Sequence, residues 1–155
     1  MKKILVACVA AFIMIAMPKL MLAQQKPVLN HIAVYVKDLK TSTAFYSEVI
    51  GIDTIPEPFH DGKHTWYGVS ENSHLHLIQG AKEITKHDKN IHLCFSVPSI
   101  EDVIARLNKN SVPYESWTGE KMAVTTRVDG IRQLYFTDPD GYWIEINNDY
   151  PKNAN

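Results

Sequence analysis

The sequence predicts an α+β fold of two successive βαβββ modules, whose strands form a curved mixed sheet around a concavity. Three observations predict it. The order strand, helix, three strands occurs twice between Val28 and Asn148. Superposing His31 on His92 also aligns Val34 with Phe95, Val36 with Val97 and Leu39 with Ile100. Within the strand-like runs, aliphatic residues alternate with others, the period of a strand that buries one face.

Module one covers residues 28–80 and opens with "VLNHIAVYV", where Ile32, Val34 and Val36 alternate with His31, Ala33 and Tyr35. In "LKTSTAFYSEVIG", Leu39, Ala44, Phe45, Val49 and Ile50 form a rough helical stripe, and Gly51 suits the left-handed residue that closes a helix. Three strands are predicted over "IDTIPEPF", "HTWYGVS" and "SHLHLIQ", parted by the turns "HDGK" and "ENS". The linker "GAKEITKHDKN" leads to module two, residues 90–148. There "NIHLCFSV" is the strand, and Ser99 caps a helix whose Ile100, Val103, Ile104 and Leu107 recur at helical spacing. Strands follow at "VPYESW", "IRQLYFTD" and "YWIEINN", with a polar loop "WTGEKMAVTTRVDG" and a "DPDG" turn between them. Residues 149–155 form a loose tail.

A chain of 155 residues holds one such domain, here 28–148. A net charge of −1 with no basic run excludes a nucleic-acid footprint. The first 23 residues begin with Lys2 and Lys3, continue with an apolar run from Ile4 to Met17, and offer a cleavage point after Ala23. That layout predicts a signal peptide and an exported, periplasmic or secreted protein with no stable membrane association once processed. The competing reading, an N-terminal anchor, meets a run shorter than the ~20 residues a spanning helix needs. Cys94 then remains alone, so no internal disulfide is expected.

Alternation sends His31 with Ala33 and Tyr35, His74 with His76, His92 with Cys94 and Ser96, and Glu145 with Trp143 and Asn147 away from the aliphatic faces. Each module thus projects ligand-type residues from its first and last strands into the concavity. Three imidazoles and one carboxylate make a donor set suited to one divalent transition ion, Zn²⁺, Ni²⁺ or Fe²⁺, rather than Ca²⁺ or Mg²⁺. The competing reading is that these histidines are hydrogen-bonded strand residues. His60, His64 and His87 fall in turns or at strand edges and read as solvated.

At "HIAVYVKDL…FYSEVIG" and "LYFTDPDGYWIEI" the sequence resembles the vicinal oxygen chelate superfamily, which includes glyoxalase I, extradiol dioxygenases, fosfomycin-resistance enzymes and bleomycin-binding proteins. The resemblance implies paired βαβββ modules cupping a metal held by His31, His76, His92 and Glu145. Two strand positions are ~7 Å apart, so His74 and His76 cannot both reach one ion, and of the two the resemblance selects His76. His74 becomes a pocket residue with Tyr35, Cys94, Tyr135 and Trp143. The activity implied is that of a lyase or isomerase of glyoxalase I type on a small oxygen-chelating substrate, with Glu145 as base. Glyoxalase I usually has a carboxylate where His76 stands, an arginine at Tyr35 and an asparagine at Gly80, so glutathione is a doubtful substrate. An extradiol-type dioxygenase or a thiol transferase would use His31, His92 and Glu145 alone. A binding or resistance protein would use an aromatic groove drawn from Tyr35, Trp66, Trp117, Tyr135 and Trp143. The loop after Trp117, with Lys121 and Arg127, is expected to cover the site, and a homodimer to complete it.

Overall fold

The computed structural model describes residues 26–151. The predicted signal segment and residues 152–155 of the tail lie outside them. No helix among the described residues is long and apolar enough to cross a membrane.

Module one comprises β1 (His31–Val36), α1 (Leu39–Phe45), a π-helical turn (Tyr46–Ile50), β2 (Thr54–Ile55), β3 (His64–Ser70) and β4 (Ser73–Gln79). Module two comprises β5 (His92–Ser96), α2 (Ile100–Lys109), β6 (Thr125–Thr126), β7 (Arg132–Thr137) and β8 (Trp143–Asn147). The strands form two four-stranded mixed sheets, ordered β1-β4-β3-β2 and β5-β8-β7-β6. In each, the first strand runs parallel to the last and lies at an open edge.

Local chemistry starts each helix. The Asp38 carboxylate accepts the Thr41 amide at 2.7 Å, and Ser99 Oγ accepts that of Asp102 at 3.1 Å, satisfying amides the first turn leaves free. Helix α2 also carries Glu101 and Asp102 in its first turn and Arg106 and Lys109 in its last, matching the helix dipole. The stripe from Leu39 to Ile50 is irregular because α1 widens into the π-turn, which ends at Gly51 with φ 85°, as expected for its left-handed cap.

Two strand boundaries differ from the sequence expectation. Of "IDTIPEPF" only Thr54 and Ile55 pair, since Pro56 and Pro58 offer no amide to the ladder. The second strand of module two is Thr125–Thr126, inside the loop expected to be irregular, while "VPYESW" contributes only isolated bridges at Glu115.

One core joins the modules. Val34, Val36, Leu75 and Leu77 from the first sheet are buried with Leu134, Phe136, Ile144 and Ile146 from the second. The "DPDG" turn does more than reverse the chain. Tyr46 Oη donates to Asp138 at 2.8 Å, while Ser42 Oγ and the Lys37 amide donate to Asp140 at 2.6 and 2.7 Å. Both carboxylates are buried, and burial pushes that of Asp138 up to about 6.

Candidate metal centre

The four expected donors occupy equivalent places in the two sheets. On the parallel ladders Ala33 faces His76 and Cys94 faces Glu145. His31 and His92 each stand two residues before those partners, so the pairs His31–His76 and His92–Glu145 share one stagger. By the same register, His74 corresponds to Trp143, which faces His92 as His74 faces His31. The internal repeat therefore pairs His76, and not His74, with Glu145.

In module two, His92 Nδ1 lies 2.7 Å from the Lys89 carbonyl, which only accepts, so that nitrogen carries the proton. Nε2 then stands 3.2 Å from Glu145 Oε2. Two acceptors face each other at that distance only with a proton or a cation between or beside them. Donors held about 2.0–2.2 Å from one transition ion stand about 3 Å apart, so the spacing fits a shared ion. Glu145 is buried, and burial acts to raise its pKa. Hydrogen bonds outweigh that and hold it below its ordinary range: Tyr135 Oη donates to Oε2 at 2.5 Å, and Asn147 Nδ2 and Cys94 Sγ donate to Oε1 at 3.0 and 3.4 Å. Burial and the adjacent carboxylate push the Cys94 thiol up to about 12, so it stays protonated and donating.

In module one, His31 Nδ1 lies 2.8 Å from Asn30 Oδ1, leaving its Nε2 free to act as a donor to an ion. His76 is buried between rings, stacked on Trp66 at 3.9 Å and on His31 at 4.4 Å between centroids. Its Nε2 is buried and has no hydrogen-bond partner. Burial first, then the neighbouring imidazoles, lowers its pKa and keeps it neutral, as a metal ligand must be. A buried nitrogen without a partner normally costs stability, and an ion would satisfy it.

The structure brings the four donors together as two pairs, not as one cluster. Among the described residues no three His, Cys, Asp or Glu side chains form a group able to hold a metal ion. Convergence of all four within one chain, the arrangement expected from sequence, is not what the fold provides: each pair sits on its own sheet, and the shared core fixes the sheets relative to one another.

The expected pocket residues divide in the same way. His74 lines a 510 Å³ cavity with His31, His64, His76, Phe59 and Trp66. Tyr135 and Trp143 line one of 370 Å³ in module two with Lys121. Cys94 adjoins Glu145, whereas Tyr35 is half exposed and packs against Gly80, apart from both pairs. His60 is solvated as expected. His64 is not: it is largely covered, and its Nδ1–H donates to the Asp61 carboxylate at 2.9 Å as part of the cavity wall. His87 is also partly buried, stacked on Tyr142 at 4.1 Å. Of the loop cations, Arg127 pairs with Asp129 at 2.5 Å.

Comparison with known proteins agrees with this architecture. Residues 28–146 match the model of the family described as Glyoxalase/Bleomycin resistance protein/Dioxygenase superfamily. The chain belongs to that superfamily. It is 27% identical to the Lactoylglutathione lyase of Pseudomonas putida over 152 residues, covering 77% of this chain and 83% of that one. It is 26% identical to the Metallothiol transferase FosB of Staphylococcus epidermidis, covering 76% and 79% respectively. The solved structure of Oxidase ChaP-H2 superposes with a TM-score of 0.67 at 21% identity, over 84% of this chain and all of that one, a likeness of fold.

Proposed function

We propose that this superfamily member is a metal-dependent lyase or isomerase of glyoxalase I type, exported, and active as a homodimer in which His31 and His76 of one copy meet His92 and Glu145 of another. The observation that carries the reading is the common stagger of the two donor pairs on separate sheets. Sliding the sheets together within one chain would break the shared core and the Tyr46–Asp138 and Ser42–Asp140 bonds. Assembly of two copies requires no such rupture. The relatives named for lyase and metallothiol transferase activities support a metal enzyme.

A divalent ion in such a site supplies Lewis acidity, polarising a substrate oxygen so that the adjacent C–H becomes acidic. The chain's own residues divide the remaining work. His31, His76 and His92 offer neutral nitrogens, and Glu145 Oε2, facing His92, offers the anionic oxygen. Glu145 Oε1 is the atom to receive a proton, because one of its two donors is the thiol of Cys94, the weakest of the set. Three imidazoles and one carboxylate leave the site with net charge +1, which favours an anionic oxygen in the transition state.

The test is complementation. The mature chain should sediment as a dimer and take up about one Zn²⁺ or Ni²⁺ per copy. Alone, Glu145→Ala should take up no ion and His76→Ala should bind one only weakly, and refolding them together should restore one full-affinity site per mixed dimer. Turnover is then assayed with methylglyoxal and thiols, a 2-methylacyl thioester and a catechol. Catechol-dependent oxygen uptake with Fe²⁺ replaces the lyase with the dioxygenase reading, and a monomer that takes up no ion leaves only a small-molecule binding protein.

A further inference from the structure

Lys89, in the linker between modules, contacts His92 through its backbone and, through its side chain, the ring of Tyr135, the phenol that donates to Glu145. Its carbonyl accepts the His92 Nδ1–H at 2.7 Å. Its side chain is four-fifths buried and ion-paired with Glu115. The ammonium also donates to the Ser116 and Trp117 carbonyls, both at 3.3 Å. Three aromatic faces surround it: Trp143 at 4.9 Å, Tyr135 at 5.6 Å and Trp117 at 6.0 Å from Nζ to ring centroid. Tyr135 is the phenol that donates to Glu145, and its ring also meets that of His92 edge to face at 5.6 Å. A desolvated ammonium holds such rings by cation–π attraction, and a tether at both ends fixes the carbonyl between them.

We propose that Lys89 is the positioning residue of the second donor pair: its anchored ammonium holds its own carbonyl on His92 and braces Tyr135 behind Glu145. Nothing in the repeat foreshadows it, since the corresponding place before His31 is Val28. The metal reading above is needed for only one of the two measurements that follow.

The experiment compares full-length wild type, Lys89→Met, Lys89→Arg and Glu115→Gln. Long-range ¹H–¹⁵N spectra of the metal-free proteins, taken at a pH where the ring carries a single proton, report the His92 tautomer. Wild type should hold the proton on Nδ1. Lys89→Met, which keeps the apolar stem, should release it to a mixture with Nε2–H, and Lys89→Arg should restore the Nδ1–H form. Zn²⁺ affinity, read by competition with a chromophoric chelator, should fall about tenfold to a hundredfold in Lys89→Met, as for loss of other groups that orient metal ligands. Glu115→Gln, which keeps the lysine and removes the charge of its ion-pair partner, should shift both readouts in the same direction by a smaller amount and guards against misfolding of the methionine variant. A wild-type tautomer in Lys89→Met and Glu115→Gln overturns the proposal, even if Zn²⁺ affinity falls, because the loss is then one of charge alone. If wild type takes up no Zn²⁺, the metal reading fails, and the tautomer still decides the role of Lys89.

Discussion

Around His76 and around Glu145 the two modules use the same sheet positions and choose opposite chemistries. The neighbours of His76 are Trp66 across the ladder on one side, Ala33 on the other, and Ile78 two residues on. Those of Glu145 are Tyr135, Cys94 and Asn147 at the matching places, and all three donate hydrogen bonds to it. A neutral imidazole needs only flat contact and exclusion of water, which an indole face supplies. A buried carboxylate needs its lone pairs satisfied or it takes up a proton. Module one is therefore organised by stacking and module two by donated hydrogen bonds, and loss of a neighbour should be felt far more in the second.

The strongest way to break this contrast is to remove the donors themselves. Glu145→Ala should abolish saturable Zn²⁺ uptake in isothermal titration, while His76→Ala, which removes a neutral ligand from a pair without charge, should leave weak residual binding. A greater loss in His76→Ala would reverse the assignment of the dominant half.

The next effect concerns the turn that pins module two onto module one. Asp138 has its pKa raised from 3.8 in the free residue to about 6 in the fold, chiefly by burial. The folded state thus favours the protonated acid. Its contribution is largest below about 4 and declines as pH climbs through about 6, by at most about 3 kcal/mol. Asp138→Asn keeps an oxygen for the Asp140 and Tyr142 amides and should flatten this slope in urea unfolding series run between pH 4 and 7. An unchanged slope would assign the pH dependence to other groups.

Substituting the cross-strand neighbours sharpens the comparison directly. Tyr135→Phe should weaken Zn²⁺ binding about tenfold by removing a donor to Glu145, whereas Trp66→Phe keeps a ring on His76 and should change it much less. Equal losses would show that both modules orient their ligands in the same way. Smallest is Cys94→Ser: a hydroxyl donates better than a thiol, so Glu145 Oε1 should become less basic and turnover fall about twofold with Zn²⁺ affinity unchanged.

The repeat and the face of each strand were legible because alternation and helical spacing are local. His31, His76, His92 and Glu145 could be placed on polar faces for the same reason. What pattern could not show was tertiary. Thr125–Thr126 is too short to display a period, and the proline pair after Ile55 was outweighed by its aliphatic neighbours. The "DPDG" turn declared a reversal of the chain but not the Tyr46 and Ser42 hydroxyls that its acids receive. Lys89 looks like any linker lysine until Trp117, Tyr135 and Trp143, up to 54 positions further along, close around it. Separation of the donors into two pairs likewise depends on how the sheets pack, which alternation within a strand does not encode.

The shared two-residue stagger makes positions 76 and 145 interchangeable sockets whose linings are not. An acid grafted into the first socket would be stranded against indole, methyl and isoleucine, and an imidazole in the second would leave three donors idle. Lineages that alter the charge of such a centre must therefore rewrite the surrounding trio together with the ligand, so that drift in metal preference should proceed by coordinated blocks of substitutions instead of single exchanges.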